Sequence, residues 1–175
     1  MHPSGGLNRK ANVMMTTIQD DDGRIRPMGR HDLSLVGGMM AVETRAGGGA
    51  PPLEPALLES DLFGAAPGLH GLVVERFDLV VGYALLNRPQ GDAAPSDMAR
   101  LRHLFIQPGS RGRGLGRLLV EGAAVWAAEA QCPALIADMT GREGRARAFC
   151  AACGFAMRGD EGVRAIMWPA EGQAA

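Results

Sequence analysis

Residues 107–117 read Gln107-Pro108-Gly109-Ser110-Arg111-Gly112-Arg113-Gly114-Leu115-Gly116-Arg117. Four glycines within eight residues cost backbone entropy on folding, so they mark dihedrals or close approaches that a side chain would block. Upstream, Leu101 to Gln107 reads as a strand that Pro108-Gly109 stops. Downstream, Leu115, Leu118, Leu119, Gly122, Ala123, Val125 and Trp126 form an apolar stripe at helical spacing as far as Ala130. A glycine turn between strand and helix exposes the unpaired amides of the helix N-terminus, and Arg111 and Arg113 add full positive charges. The natural guest of such a turn is a phosphate or pyrophosphate.

Spacing narrows the ligand. The nucleotide pattern GxxxxGK[ST], started at Gly109, meets Gly114 but then Leu115 where lysine belongs. The dinucleotide pattern GxGxxG, started at Gly112, meets Arg117, and started at Gly114 it meets Leu119. An Arg/Gly-rich nucleic-acid-binding segment is a further reading. It would come with a basic domain and stacking aromatics, whereas net charge is −1 and aromatic residues are 5%.

The remaining chain arranges itself around this unit. With 175 residues, one domain over 24–175 is expected, behind a loosely attached leader over 1–23. Within the leader, Val13 to Ile18 can pair with Arg24 to Arg26 across the Asp22-Gly23 turn. Asp32 is placed to cap a helix through Leu33, Val36, Met39, Met40 and Val42, ended by Gly47 to Gly49. A second helix spans Leu53 to Leu62. Leu72 to Arg76 and Leu79 to Leu86 read as a hairpin around Phe77-Asp78, and Arg88 to Ala99 as a loop. After Cys132-Pro133 come a strand from Ala134 to Met139, an arginine-rich helix from about Gly144 to Cys153, and strands Phe155 to Met157 and Val163 to Trp168. This order predicts a mixed α/β (α+β) fold, with a sheet of about six to seven strands flanked by about four helices. No apolar run is long enough to span a membrane, no secretory signal is visible, and three clustered cysteines suit a reducing cytoplasm. One Cys150-x-x-Cys153 pair, without a second pair or a histidine at ligand spacing, points to no metal.

The strand followed by Arg111-Gly112-Arg113-Gly114-Leu115-Gly116 and an apolar helix resembles the acyl-CoA-binding motif [QR]xxGx[GA] of the GNAT superfamily of N-acetyltransferases. Ala146, Phe149, Gly154 and Phe155 are similar to its second signature, NxxAxxFYxxxGF. Leu62-Phe63-Gly64, Leu72 to Glu75 and Val81 to Leu85 resemble the spermidine/spermine acetyltransferase branch. The resemblance covers residues 24 to 168 and implies two central parallel strands, Leu101 to Gln107 and Ala134 to Met139, that splay apart to admit acetyl-CoA. It further implies that pantetheine bonds to backbone around Leu104 and Ile106, and that pyrophosphate sits on amides from Arg111 through Gly112, Arg113, Gly114 and Leu115 to Gly116. A backbone N–H between Leu104 and Ile106 would stabilise the oxyanion. Members of the superfamily often form homodimers, and a small-molecule amine is the implied acceptor.

The acceptor must lose a proton, because an alkylammonium of pKa about 10.4 is free base in only about one molecule in 2,500 at pH 7. Where the polyamine branch reads LEDLYV, this chain reads Leu101-Arg102-His103-Leu104-Phe105-Ile106, so a polycation loses its expected carboxylates. His103 is the candidate general base, with a sheet-bonded or exposed histidine as the alternative; Glu75 and Asp138 compete. Glu143 stands for the signature's Asn, and Cys150 for the Tyr that protonates the leaving thiolate. Cys150 is therefore either the catalytic acid or a small packed side chain. His31 and His70 fall in loops or at helix ends, and Met39, Met40 and Trp126 in the core. Two rival functions are a GNAT-fold acyl-CoA binder without catalysis and the nucleic-acid-binding domain.

Overall fold

The run Leu72-Val73-Val74 and the run Tyr83-Ala84-Leu85-Leu86 are buried at every position, the pattern of strands covered on both faces. They lie in β3 (His70–Arg76) and β4 (Leu79–Asn87), joined by a tight turn in which Phe77 and Asp78 both have positive φ, 51° and 59°. The computed structural model describes residues 19–20, 23–45, 54–87, 98–139, 143–158 and 163–167. Among these, β1 (Gln19–Asp20), β2 (Gly23–Pro27), β5 (Ala99–Ile106), β6 (Leu135–Met139), β7 (Ala156–Arg158) and β8 (Val163–Met167) complete one eight-stranded sheet. Its spatial order is β1-β2-β3-β4-β5-β6-β8-β7, antiparallel throughout except for the parallel pair β5–β6.

Among the described residues the α-helices are α1 (Leu33–Arg45), α2 (Pro55–Phe63), α3 (Leu115–Glu129) and α4 (Glu143–Ala152). On one face, α3, α4 and the residue Phe155 that follows α4 bury Leu119, Trp126, Cys150 and the Phe155 ring against Leu72, Val74, Ile106 and Leu135. On the other, α1 and α2 bury Val36, Met39, Met40 and Leu58 against Val73, Tyr83, Leu85 and Phe105. Two cores thus share one sheet. No helix among the described residues is long and apolar enough to cross a membrane.

Most element boundaries lie within two residues of those expected from sequence. The sheet gains a strand over expectation at its first edge, where Gln19 and Asp20 pair with Arg24 and Gly23. Residues 13–18, expected to make that pairing, lie outside the described residues, as does Trp168. Asp32 caps differently from expectation. It ends a 3-10 turn, Arg30–Asp32, accepts a hydrogen bond from the Gly29 amide at 2.7 Å and pairs with Arg26. His70 lies on a strand rather than in a loop. Its ring stacks on Trp126 with centroids 5.0 Å apart.

Candidate active site

β5 and β6 pair only at Ala99↔Leu135, Arg100↔Ile136 and Leu101↔Ala137. β5 then runs on to Ile106 while still paired on its other edge with β4, from Leu85↔His103 to Gly82↔Ile106. Among the described residues its β6-facing edge has no strand partner from Arg102 onward. The parting coincides with an irregularity: Leu86 faces Leu101 and Leu85 faces His103, leaving Arg102 as an extra residue. Such a bulge sharpens the local twist.

The glycine turn sits where the strands have parted. A 3-10 turn over Pro108–Ser110 leads into Gly112 and Gly114, whose φ angles are 75° and 79°. Gly114 is the N-cap of α3 and supplies no side-chain cap. The first helical bond found is Leu118 N–H to the Gly114 carbonyl at 3.0 Å, so the amides of Leu115, Gly116 and Arg117 have no intrahelical acceptor. They present the positive end of α3. Space and dihedral divide the glycines. A Cβ at Gly112 or Gly114 would meet nothing within 4 Å, so the positive φ is what those positions require, whereas one at Gly116 would come within 3.1 Å of the Phe149 ring. Gly116 lets α3 and α4 close up.

Together these elements enclose a cleft of about 650 Å³. Leu104, Phe105 and Ile106 line one side, the turn from Arg111 to Gly116 another, Phe149 of α4 and Cys153 just beyond it a third, and Val42 and Glu43 of α1 lie at the remaining end. Of the residues singled out in the sequence, Leu104, Ile106, Arg111, Gly112, Gly114, Leu115 and Gly116 line this cleft. Arg113 is exposed and is not among the lining side chains. Arg111 turns back over the strand: its Nε donates to the Ile106 carbonyl at 2.9 Å, and its guanidinium lies 5.7 Å from the Phe105 ring centroid.

His103 is not among the residues lining the cleft and lies on the strand parity of Phe105. Burial pulls its pKa down, Glu43 opposes that and Arg102 adds to it, with a net value below ordinary. The ring is neutral at pH 7 and able to accept a proton. Cys150 is buried in the core under α3, does not line the cleft, and burial pushes its thiol up to about 11. Cys153, one turn on, is the cysteine of the cleft wall. Glu75, a competing base in the sequence, is 8% exposed. Arg24 and Arg26 grip it at 2.5 and 2.7 Å. Burial raises its pKa, but the two arginines more than reverse this and hold it below ordinary. The side chain of Asp138 lies outside the described residues.

Sequence reading missed Glu43. It extends the buried stripe Val36, Met39, Met40 by one helical step, and among the described residues it is the only carboxylate lining the cleft. The chain's single tyrosine, Tyr83, is fully buried beneath it and donates its hydroxyl to Glu43 Oε2 at 3.2 Å. Burial, together with that carboxylate, keeps the phenol well above its ordinary pKa, so it stays a donor. A carboxylate on the buried face of a helix was the available signal; its tyrosine lies forty residues away in sequence and no short motif links them.

The family model of the acetyltransferase (GNAT) family matches residues 40–155, from within α1 to the end of the α4 turn. The chain belongs to the GNAT acetyltransferase family. Among solved structures, it is similar to a tandem GNAT protein from the clavulanic acid biosynthesis pathway at 27% identity and a TM-score of 0.64, covering 78% of this chain and 45% of that one. The chain thus spans less than half the length of that relative. Two further acetyltransferase structures share the fold. The putative acetyltransferase yncA of Salmonella typhimurium, solved with acetyl-CoA, has a TM-score of 0.69 at 15% identity over 88% of this chain and 98% of its own. The ribosomal-protein-S5-alanine acetyltransferase of Vibrio fischeri has a TM-score of 0.68 at 12% identity over 89% and 98%. No curated protein matches the sequence.

Proposed function

We propose that the protein is a cytoplasmic enzyme that moves an acetyl group from acetyl-CoA to the primary amine of a small molecule, by direct attack in a ternary complex. The observation that carries this reading is the parting of β5 from β6 after Leu101, with the uncapped N-terminus of α3 across the gap. The turn from Arg111 to Gly116, Arg113 included, would receive the pyrophosphate. The unpaired β5 edge at Leu104 and Ile106 would receive the pantetheine, once Arg111 releases the Ile106 carbonyl. Cationic Arg111 and Arg117 line the cleft with Glu43, a polarity that suits an anionic donor and a cationic acceptor.

In the transfer, the amine nitrogen bonds to the acetyl carbonyl carbon, the carbon–sulfur bond breaks, and the thiolate leaves. A backbone N–H in the Leu104–Ile106 stretch would hold the oxyanion. His103, which feels the charge of Glu43 but lies outside the cleft lining, takes the amine proton through water. The thiolate takes its proton from solvent, because a core-packed Cys150 suits packing better than acid catalysis. Arg102 and His103, standing where the polyamine branch has carboxylates, weigh against a polycation.

The test joins binding to turnover. Acetyl-CoA should raise the thermal midpoint, and thiol should be released in the presence of an amine panel. No shift at concentrations well above micromolar would overturn the reading, and a shift without release would favour a non-catalytic binder. His103→Ala should slow release about a hundredfold. The acid limb of the wild-type rate profile should fall below the ordinary histidine value of 6.5. A loss under about threefold would remove His103 from the mechanism.

A further inference from the structure

A second groove, also of about 650 Å³, runs beside the cleft and shares Val42, Phe105 and Pro108 with it. Its α1 wall is formed by Ser34, Leu35, Gly38, Met39 and Val42, with His31 beside them; Leu35, Gly38, Met39 and Val42 are three to four residues apart and so on one side of the helix. Leu35 and Val42 are 44% and 46% exposed, although they belong to a helix whose Val36, Met39 and Met40 are buried. Gly38 lies between them. A Cβ there would meet nothing within 4 Å, so packing does not require a glycine, yet mid-helix glycine costs about 1 kcal/mol relative to alanine. Its missing side chain leaves the groove open at that point, whereas Gly37, equally free of contacts, lies outside the groove. The apolar strip leads along α1 to Glu43, where the groove has merged with the cleft and where Tyr83 anchors the carboxylate.

We propose that the acceptor is an amphipathic primary amine, with its ammonium received at Glu43 and its alkyl or aryl arm laid along α1 between Leu35, Gly38 and Phe105. The inference rests on the acetyl-transfer reading and deepens it. A carboxylate at the inner end complements the cationic head, and the exposed apolar strip complements the arm. A diamine such as 1,4-diaminobutane fits poorly, since its second ammonium would come to rest beside Val42 on the apolar strip without a counter-charge.

The experiment measures kcat/KM for methylamine, butylamine, hexylamine, phenethylamine and 1,4-diaminobutane. In the wild type the value should climb about fourfold per methylene as the arm is buried, and butylamine should exceed the diamine at least tenfold. Gly38→Leu, which fills the groove, and Leu35→Gln, at a half-exposed position tolerant of change, should each flatten that slope. The acetyl-CoA midpoint shift should stay the same in both variants. Glu43→Gln should raise KM for butylamine at least tenfold with a smaller change in kcat, and Glu43→Asp should recover part of it. A slope that is flat in the wild type, equal use of the diamine, or a slope that persists in both groove variants overturns the proposal while leaving acetyl transfer standing. Equal loss in Glu43→Gln for an aromatic amine that is uncharged at pH 7 would also overturn it. Absence of thiol release with every amine defeats the transfer reading itself, and this inference with it.

Discussion

At Glu75 one carboxylate answers two guanidinium groups from the neighbouring strand, and the chain continues through Arg26 to Asp32, which Arg26 meets at 2.7 Å. Asp32, too, is raised by burial and then brought below its ordinary value by Arg26 and the Gly29 amide. Carboxyls held below their unfolded values add stability that is complete above those values, 4.5 for Glu75 and 3.8 for Asp32, and that is lost as pH falls through the lower folded values. The side chain of Arg24 is 47% exposed and adds little, whereas that of Arg26 is 23% exposed. Glu75→Gln should therefore cost about 2 kcal/mol at pH 7. In urea titrations its loss of stability below about pH 4.5 should be shallower than that of the wild type; an unchanged midpoint at pH 7 would show the clamp to be energetically idle. Acetyl-CoA affinity should not change, since none of these side chains lines the cleft.

Among elements, α3 carries the two most informative junctions. At its start, Gly114→Ala places a Cβ on a residue with φ of 79° and should cost about 1 kcal/mol from backbone strain alone. Loss of the turn's shape should also weaken acetyl-CoA binding, read by calorimetry; full affinity would mean that the turn does not hold the coenzyme. Near its end, His70 packs face to face on Trp126, and burial drops its pKa to about 4 while its Nε2 has no hydrogen-bond partner among the described residues. The unfolded chain takes this proton near pH 6.5 and the folded one resists it until about 4, so stability declines as pH falls through that window. His70→Phe keeps the stack and abolishes the charge. The difference between the two stability curves should grow from pH 6.5 downward, and a constant difference would exclude His70 as the titrating group. The same junctions show what was readable. α3 and its turn were legible because Pro108, Gly109, Gly112 and Gly114 punctuate the chain locally, and an apolar stripe follows at once. The Arg102 bulge was not, because register is settled between strands by Leu85 and Leu86. Neither was the Glu43–Tyr83 pair, which exists only after α1 has been laid across β4.

For the molecule as a whole, a sheet apolar on both sides couples two cores that have no side chains in common. Leu119→Ala on one side and Leu85→Ala on the other, both 0% exposed, should each cost about 2–5 kcal/mol. Each should move a single unfolding transition, seen alike by far-UV circular dichroism and tryptophan fluorescence. Separate transitions would mean that the layers melt independently. β5 is the member both layers touch, and strand alternation divides its duties. Leu104 and Ile106 face the α3 layer, whereas Phe105 faces the α1 layer. Even and odd positions on this strand are in effect separate dials. A combinatorial library restricted to Leu35 and Gly38, which line the second groove and not the cleft, should alter what the outer face of α1 admits while the proposed diphosphate berth is left as it stands, which makes the architecture a ready chassis for directed evolution.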